Sequence, residues 1–159
     1  RAFVRDVKGV YRVPPGGGPV ELVVEPDDFV QPNGLCFSPD ESILYIVESR
    51  SVPRRILAHD VVDDGRALRG RRVLIDAGPK GTPDGFRCDV DGNLWCGWGM
   101  GEAGLDGVHV FDPSGKLIGC IDLPERCANL CFGGEKNNRL FMAASHSLYA
   151  LFVNVQGAV

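Results

Sequence analysis

Two short stretches of this sequence hold residues that suit one chemistry. Gln-Pro-Asn-Gly-Leu spans residues 31–35 and Thr-Pro-Asp-Gly-Phe spans residues 82–86. Each sets a side-chain oxygen, that of Asn33 or Asp84, between a proline and a glycine. Proline fixes the backbone angle on entry, and glycine allows an unusual backbone turn after it. An amide oxygen and a carboxylate aimed at one point suit a hard divalent cation. A carboxylate beside a cation-ligated water can also accept its proton. Pro-Asn-Gly and Pro-Asp-Gly are equally good turn sequences. Spacing alone leaves both readings open.

Other reactive patterns fail on inspection. Asp89-Val90-Asp91-Gly92-Asn93 starts like a calcium loop, but the twelfth position, which needs Glu, is Met100. Asp-Gly between alternating apolar residues is a hairpin signal instead. Gly99 to Gly104 matches GxGxxG, yet the residues that follow read as a strand, whereas a dinucleotide site needs a helix there. The sequence contains no HExxH, GxSxG or GKS/GKT. His59, His109 and His146 are scattered and read as packed or surface residues. Cys36, Cys88, Cys96, Cys120, Cys127 and Cys131 form no CxxC pair, and most lie in apolar alternating runs. They read as buried free thiols, which points to the cytoplasm.

The elements that must carry Asn33 and Asp84 are strands. Helical periodicity is nearly absent, and short runs of period two alternate with Gly, Pro, Asp and Asn. Gly (21) and Pro (11) are enriched, which favours turns. Three hairpins are self-similar. Leu35, Phe86 and Leu130 head their first strands, 51 and 44 residues apart, and ILYIV, NLWCG and RLFMA form the second strands. A four-stranded unit at this period predicts propeller blades. The expected fold is all-β, with antiparallel four-stranded blades and roughly three blades in the chain. The expected boundaries are a partial blade at 1–30, blades at 31–79 and 80–126, and a partial blade at 127–159. The residue before each inner strand then faces the central channel at one mouth: Asn33, Asp84 and, in the third repeat, Ala128.

Composition excludes some partners. The net charge is −4, with one short basic cluster at residues 66–72, which argues against nucleic acid. No apolar run approaches the ~20 residues of a membrane span.

The ordered segments VQPNGLCFSPDESILYIVES, GTPDGFRCDVDGNLWCGWG, GVHVFDPSGKLIG and ANLCFGGEKNNRLFMAAS resemble the gluconolactonase / senescence-marker-protein / luciferin-regenerating family, regucalcin included. The resemblance covers the C-terminal half of a typical member. It implies a six-bladed β-propeller with a divalent cation in its channel, Ca²⁺ first, with Zn²⁺, Mn²⁺ or Mg²⁺ as alternatives. Asn33 and Asp84 would be two of the metal ligands and Asp84 the general base. The family's metal-binding Glu, near the start of its first blade, has no counterpart here, nor do the substrate-contacting Arg and Asn of its second blade. Asn129, next to Ala128, is a further candidate for lining the channel, although an inward hydrogen bond to backbone is the expected role.

The implied activity is metal-dependent hydrolysis of a sugar lactone. Either a missing N-terminal half or a second copy of the chain would complete the site and close the ring. Two other readings stand beside it: a catalytically inactive half-propeller that binds metal or a partner, and an organophosphate or aryl ester hydrolase of the same fold.

Overall fold

The computed structural model describes residues 9–24 and 31–158. Among these every regular element is a strand. The first two, β1 (Val10–Arg12) and β2 (Glu21–Val24), pair antiparallel. β3 (Pro32–Phe37), β4 (Ile43–Glu48), β5 (Arg55–Val62) and β6 (Ala67–Asp76) form an antiparallel four-stranded sheet in chain order. β7 (Phe86–Cys88), β8 (Leu94–Trp98), β9 (Gly107–Phe111) and β10 (Leu117–Asp122) form a second sheet of the same topology. β11 (Cys127–Gly133), β12 (Arg139–Ala144) and β13 (Leu148–Phe152) make a three-stranded sheet. The rest of the partial blade expected at 1–30 falls at residues 1–8 and 25–30, outside the described residues.

Period two explains how the sheets stack. In β4, Leu44 and Ile46 face one way and Tyr45 and Val47 the other, and all four are buried. Leu44 and Ile46 join Val10, Val24 and Leu57 in a core between the β1–β2 ribbon and the first sheet. Tyr45 and Val47 join Ile56, Ile75, Phe86, Leu94, Cys96 and Trp98 in a core between the two four-stranded sheets. A third core sets Val108 and Val110 of β9 against Leu130, Leu140 and Met142 of the last sheet. Each middle sheet is thus apolar on both faces, as blades packed face to face must be. The outer face of the last sheet is open. Leu148 and Phe152 are each 71% exposed there, and the Arg139 guanidinium lies 5.0 Å from the Phe141 ring and 5.5 Å from that of Phe152.

The hairpin turns are closed by carboxylates. Asp89 is fully buried. Its Oδ1 accepts the Asp91 and Asn93 backbone N–H groups at 3.0 and 2.8 Å. Its Oδ2 accepts Asn93 Nδ2 and Trp95 Nε1 at 2.9 and 2.8 Å. Four hydrogen bonds satisfy this buried charge, so the Asp-Val-Asp-Gly-Asn segment is a turn and no calcium loop. Gly92 sits there at φ +82°, where only glycine is unstrained. Asp40 does the same in the β3–β4 turn. Hydrogen bonds from the Ser38 and Ser42 hydroxyls and the Ser42 N–H hold its carboxyl at about 2.

Cys36, Cys88, Cys96 and Cys127 are buried and free, whereas Cys120 and Cys131, though free, are exposed on outward-facing strand positions. His109 stacks on Trp98 at 4.6 Å between ring centres, and burial lowers its pKa. His59 is buried in β5, and exposed His146 contacts Glu125. None of the three meets another His, Cys, Asp or Glu in a metal-binding cluster among the described residues.

Candidate active site

The first strands of three successive sheets, β3, β7 and β11, run beside one another. Their entry residues therefore come together. Asn33 Nδ2 donates to Asp84 Oδ1 at 2.8 Å, across 51 residues of sequence. Backbone bonds pin Asp84 on both sides. Its N–H donates to Gly97 O at 3.0 Å, and the Gly85 N–H donates to Ala128 O at 2.9 Å.

The two glycines have a different purpose from the one their turn-like setting suggests. Neither Gly34 nor Gly85 adopts positive φ. Each is small because the next sheet is close. A Cβ on Gly34 would lie 2.5 Å from the backbone oxygen of Asp84 and 3.1 Å from Gly85 Cα. A Cβ on Gly85 would run into the Asn129 side chain. Strand register also shifts between Pro32 and Leu35, and again between Cys127 and Asn129. Such irregularities redirect side chains at the mouth of a sheet.

Asn129 lies against Gly85, and its Oδ1 accepts its neighbour Leu130 N–H at 2.8 Å. Ala128 contributes its backbone oxygen to Gly85 and no side-chain donor.

Asn33 and Asp84 open onto a cavity of about 390 Å³. Its wall includes Arg50, Arg54, Arg126 and Met100. Buried Glu48 accepts the backbone N–H groups of two of its lining residues, Gln31 and Arg50, at 3.0 and 3.1 Å. Burial, with the Asp84 charge adding to it, pushes the Cys127 thiol up to about 11. The Cys36 thiol is raised by its hydrogen bond with Cys88 and by burial, and burial raises Cys96. These thiols stay protonated at neutral pH and are poor nucleophiles.

Among the described residues, Asn33 Oδ1 and Asp84 Oδ2 remain outside the hydrogen-bond pattern. Both are hard oxygen donors, so they fit Ca²⁺ or a similar cation in kind. They fall short in number, because Ca²⁺ takes six to eight oxygen ligands.

The chain matches the SMP-30/Gluconolactonase/LRE-like region over residues 2–146. The chain belongs to that family. It is 33% identical over 148 residues to a gluconolactonase of Zymomonas mobilis, covering 88% of this chain and 39% of the relative. It is 30% identical over 118 residues to zebrafish (Danio rerio) regucalcin, covering 72% of this chain and 38% of the relative. Among solved structures, a gluconolactonase from Xanthomonas campestris superposes with TM-score 0.78 at 36% identity, over 93% of this chain and 45% of that one. The fold is accordingly the β-propeller of the family, and the chain spans less than half the length of these relatives.

In this family member, sequence reasoning missed the three arginines and Glu48. They lie on strand ends and connections outside the repeated hairpin core, so no repeat marks them. The close approach at Gly34 yields a test. Gly34→Ala must separate β3 from the Asp84 backbone, because the obstructing atoms are main chain. We expect a stability loss of about 1–3 kcal/mol, typical of overpacking, in denaturant titration. Gly119→Ala, whose new Cβ would meet only Val110 at 3.9 Å, should stay within about 0.5 kcal/mol of wild type. Equal stabilities for the two variants would refute the packing role of Gly34.

Proposed function

We propose that the Asn33–Asp84 pair is the protein part of a cation-dependent site that hydrolyses sugar lactones. The observation that carries this reading is the 2.8 Å contact between the two side chains at the edge of an open polar cavity. Membership of a family that includes gluconolactonases supports the substrate class.

Asn33 Oδ1 and Asp84 Oδ2 would hold the cation, Ca²⁺ first and Zn²⁺, Mn²⁺ or Mg²⁺ as alternatives. When bound, it supplies Lewis-acid polarisation of the lactone carbonyl. The chain's own residues do the rest. The Asn33 N–H fixes the Asp84 carboxylate through Oδ1. Asp84 accepts a proton as water adds to the carbonyl carbon. The ring C–O bond then breaks, and the proton passes to the departing ring oxygen. The product is the open-chain hydroxy acid.

Two protein oxygens do not fill a cation's shell, so water and polypeptide beyond these residues supply the remaining ligands. Another segment of a longer chain or a second copy would meet this need. The same shortfall favours one competing reading, an inactive scaffold that binds metal weakly. Titration of released acid from glucono-1,5-lactone, with Ca²⁺, Zn²⁺ or Mn²⁺ added and then chelated, separates the two. A cation-stimulated rate that chelation abolishes is expected. No stimulation by any of them, together with no Ca²⁺ uptake at millimolar concentration in equilibrium dialysis, leaves only the inert scaffold.

A further inference from the structure

We propose that this site takes an acidic aldonolactone, one bearing a carboxylate, phosphate or sulfonate at the end of the sugar away from the lactone carbonyl. The inference rests on the lactone reading of Asn33 and Asp84, and it names the class of lactone.

The carrying observation is the charge of the cavity wall. Arg50, Arg54 and Arg126 all line the cavity that holds Asn33 and Asp84, and among the described residues Asp84 is the one carboxylate in that lining. Among the described lining residues, three positive charges stand against one negative, a formal charge of +2, in a chain whose net charge is −4. The arginines come from separate places. Arg50 and Arg54 lie on the connection between β4 and β5, and Arg126 lies just before β11. Their convergence is therefore a product of the fold, not of a basic run in the sequence.

Three basic side chains elsewhere on the molecule have carboxylate partners: Arg12 with Glu21, Arg72 with Asp60 and Lys80 with Glu102, at 2.6 to 2.8 Å. Among the described residues none of the three cavity arginines forms such a pair. Arg54 is nevertheless held in place, because its Nε donates to Ser49 O at 3.0 Å. That bond leaves the terminal guanidinium N–H groups for a ligand. A planar guanidinium matches the paired oxygens of a carboxylate, phosphate or sulfonate. A neutral lactone has only hydroxyls to offer these guanidinium groups. A cation at Asn33–Asp84 would add to the field that draws an anionic substrate in.

Arg50 and Arg126 are exposed, so each contact is partly screened and a moderate effect is expected. The test compares kcat/KM of the full chain for glucono-1,5-lactone with that for the analogues carrying carboxylate, phosphate or sulfonate at C6. At least one acidic analogue should be preferred by about tenfold or more, and the ratio of acidic to neutral should fall by about tenfold in Arg126→Gln or Arg50→Gln. The preference should also shrink as salt rises from 20 mM to about 500 mM. Which analogue leads identifies the anion. A ratio near one in the wild type, or one that neither substitution changes, overturns the inference while leaving the lactonase reading intact. If no lactone is hydrolysed with any cation, the lactonase reading fails instead. Calorimetric binding of 6-phosphogluconate against gluconate then decides the anion site separately: equal affinities, or a preference that survives both substitutions, overturn it.

Discussion

Asp84→Ala should remove the cation-stimulated hydrolysis of glucono-1,5-lactone, with kcat/KM falling by about 10²–10⁴-fold, the usual worth of a positioned general base. Asp84→Asn should fall by a similar factor. It preserves the shape of the side chain and an oxygen that can still accept the 2.8 Å bond from Asn33. Its loss would then report missing charge and basicity, not a collapsed wall. Asp91→Ala is the control, because Asp91 sits exposed on the β7–β8 turn, away from the cavity. Circular dichroism of all three variants checks that the sheets remain. Wild-type rates in both Asp84 variants would take Asp84 out of the reaction and with it the proposed mechanism.

Phe86→Ala should cost about 3–5 kcal/mol of folding stability. Phe86 is fully buried, two residues after Asp84, and joins Tyr45, Val47 and Ile56 of one sheet to Leu94 and Cys96 of the next. No solvent can reach the space left by the ring, so the loss combines lost burial with a cavity. Against a typical total of 5–15 kcal/mol, this removes a large fraction of the stability. The measurement is the urea midpoint, with an unchanged slope showing that the same cooperative unit unfolds. Phe152→Ala, on the open face of the last sheet and 71% exposed, should move the midpoint little, by about 0.5 kcal/mol. Similar shifts for the two phenylalanines would mean that the sheets are not held together by the core described above.

The strands were legible because period-two alternation and Asp/Gly turn chemistry are local signals. ILYIV became β4 and NLWCG became β8, and the Asp89 turn was read as a turn because its calcium-ligand spacing broke at Met100. The pairing of hairpins into four-stranded sheets was legible from the repeat. Asn33 and Asp84 stood out because the same Pro-X-Gly setting recurs one repeat apart. The role of their glycines was not legible. Close approach to Asp84 O, or to Asn129, is a property of neighbouring sheets and leaves no mark distinct from a turn glycine.

By itself, the order of residues determined the all-β character, the hairpins and the repeat, and it singled out Asn33 and Asp84 as the candidate oxygen donors, since each depends on neighbours a few positions apart or on one recurring pattern. Only the tertiary structure decided that Asn33 Nδ2 meets Asp84 Oδ1, and that Arg50, Arg54 and Arg126 border the same cavity. Those contacts arise where separate sheets pack face to face through their apolar cores. The distance between two sheets is set by side chains that separate strands bring together, and no local stretch of sequence encodes it.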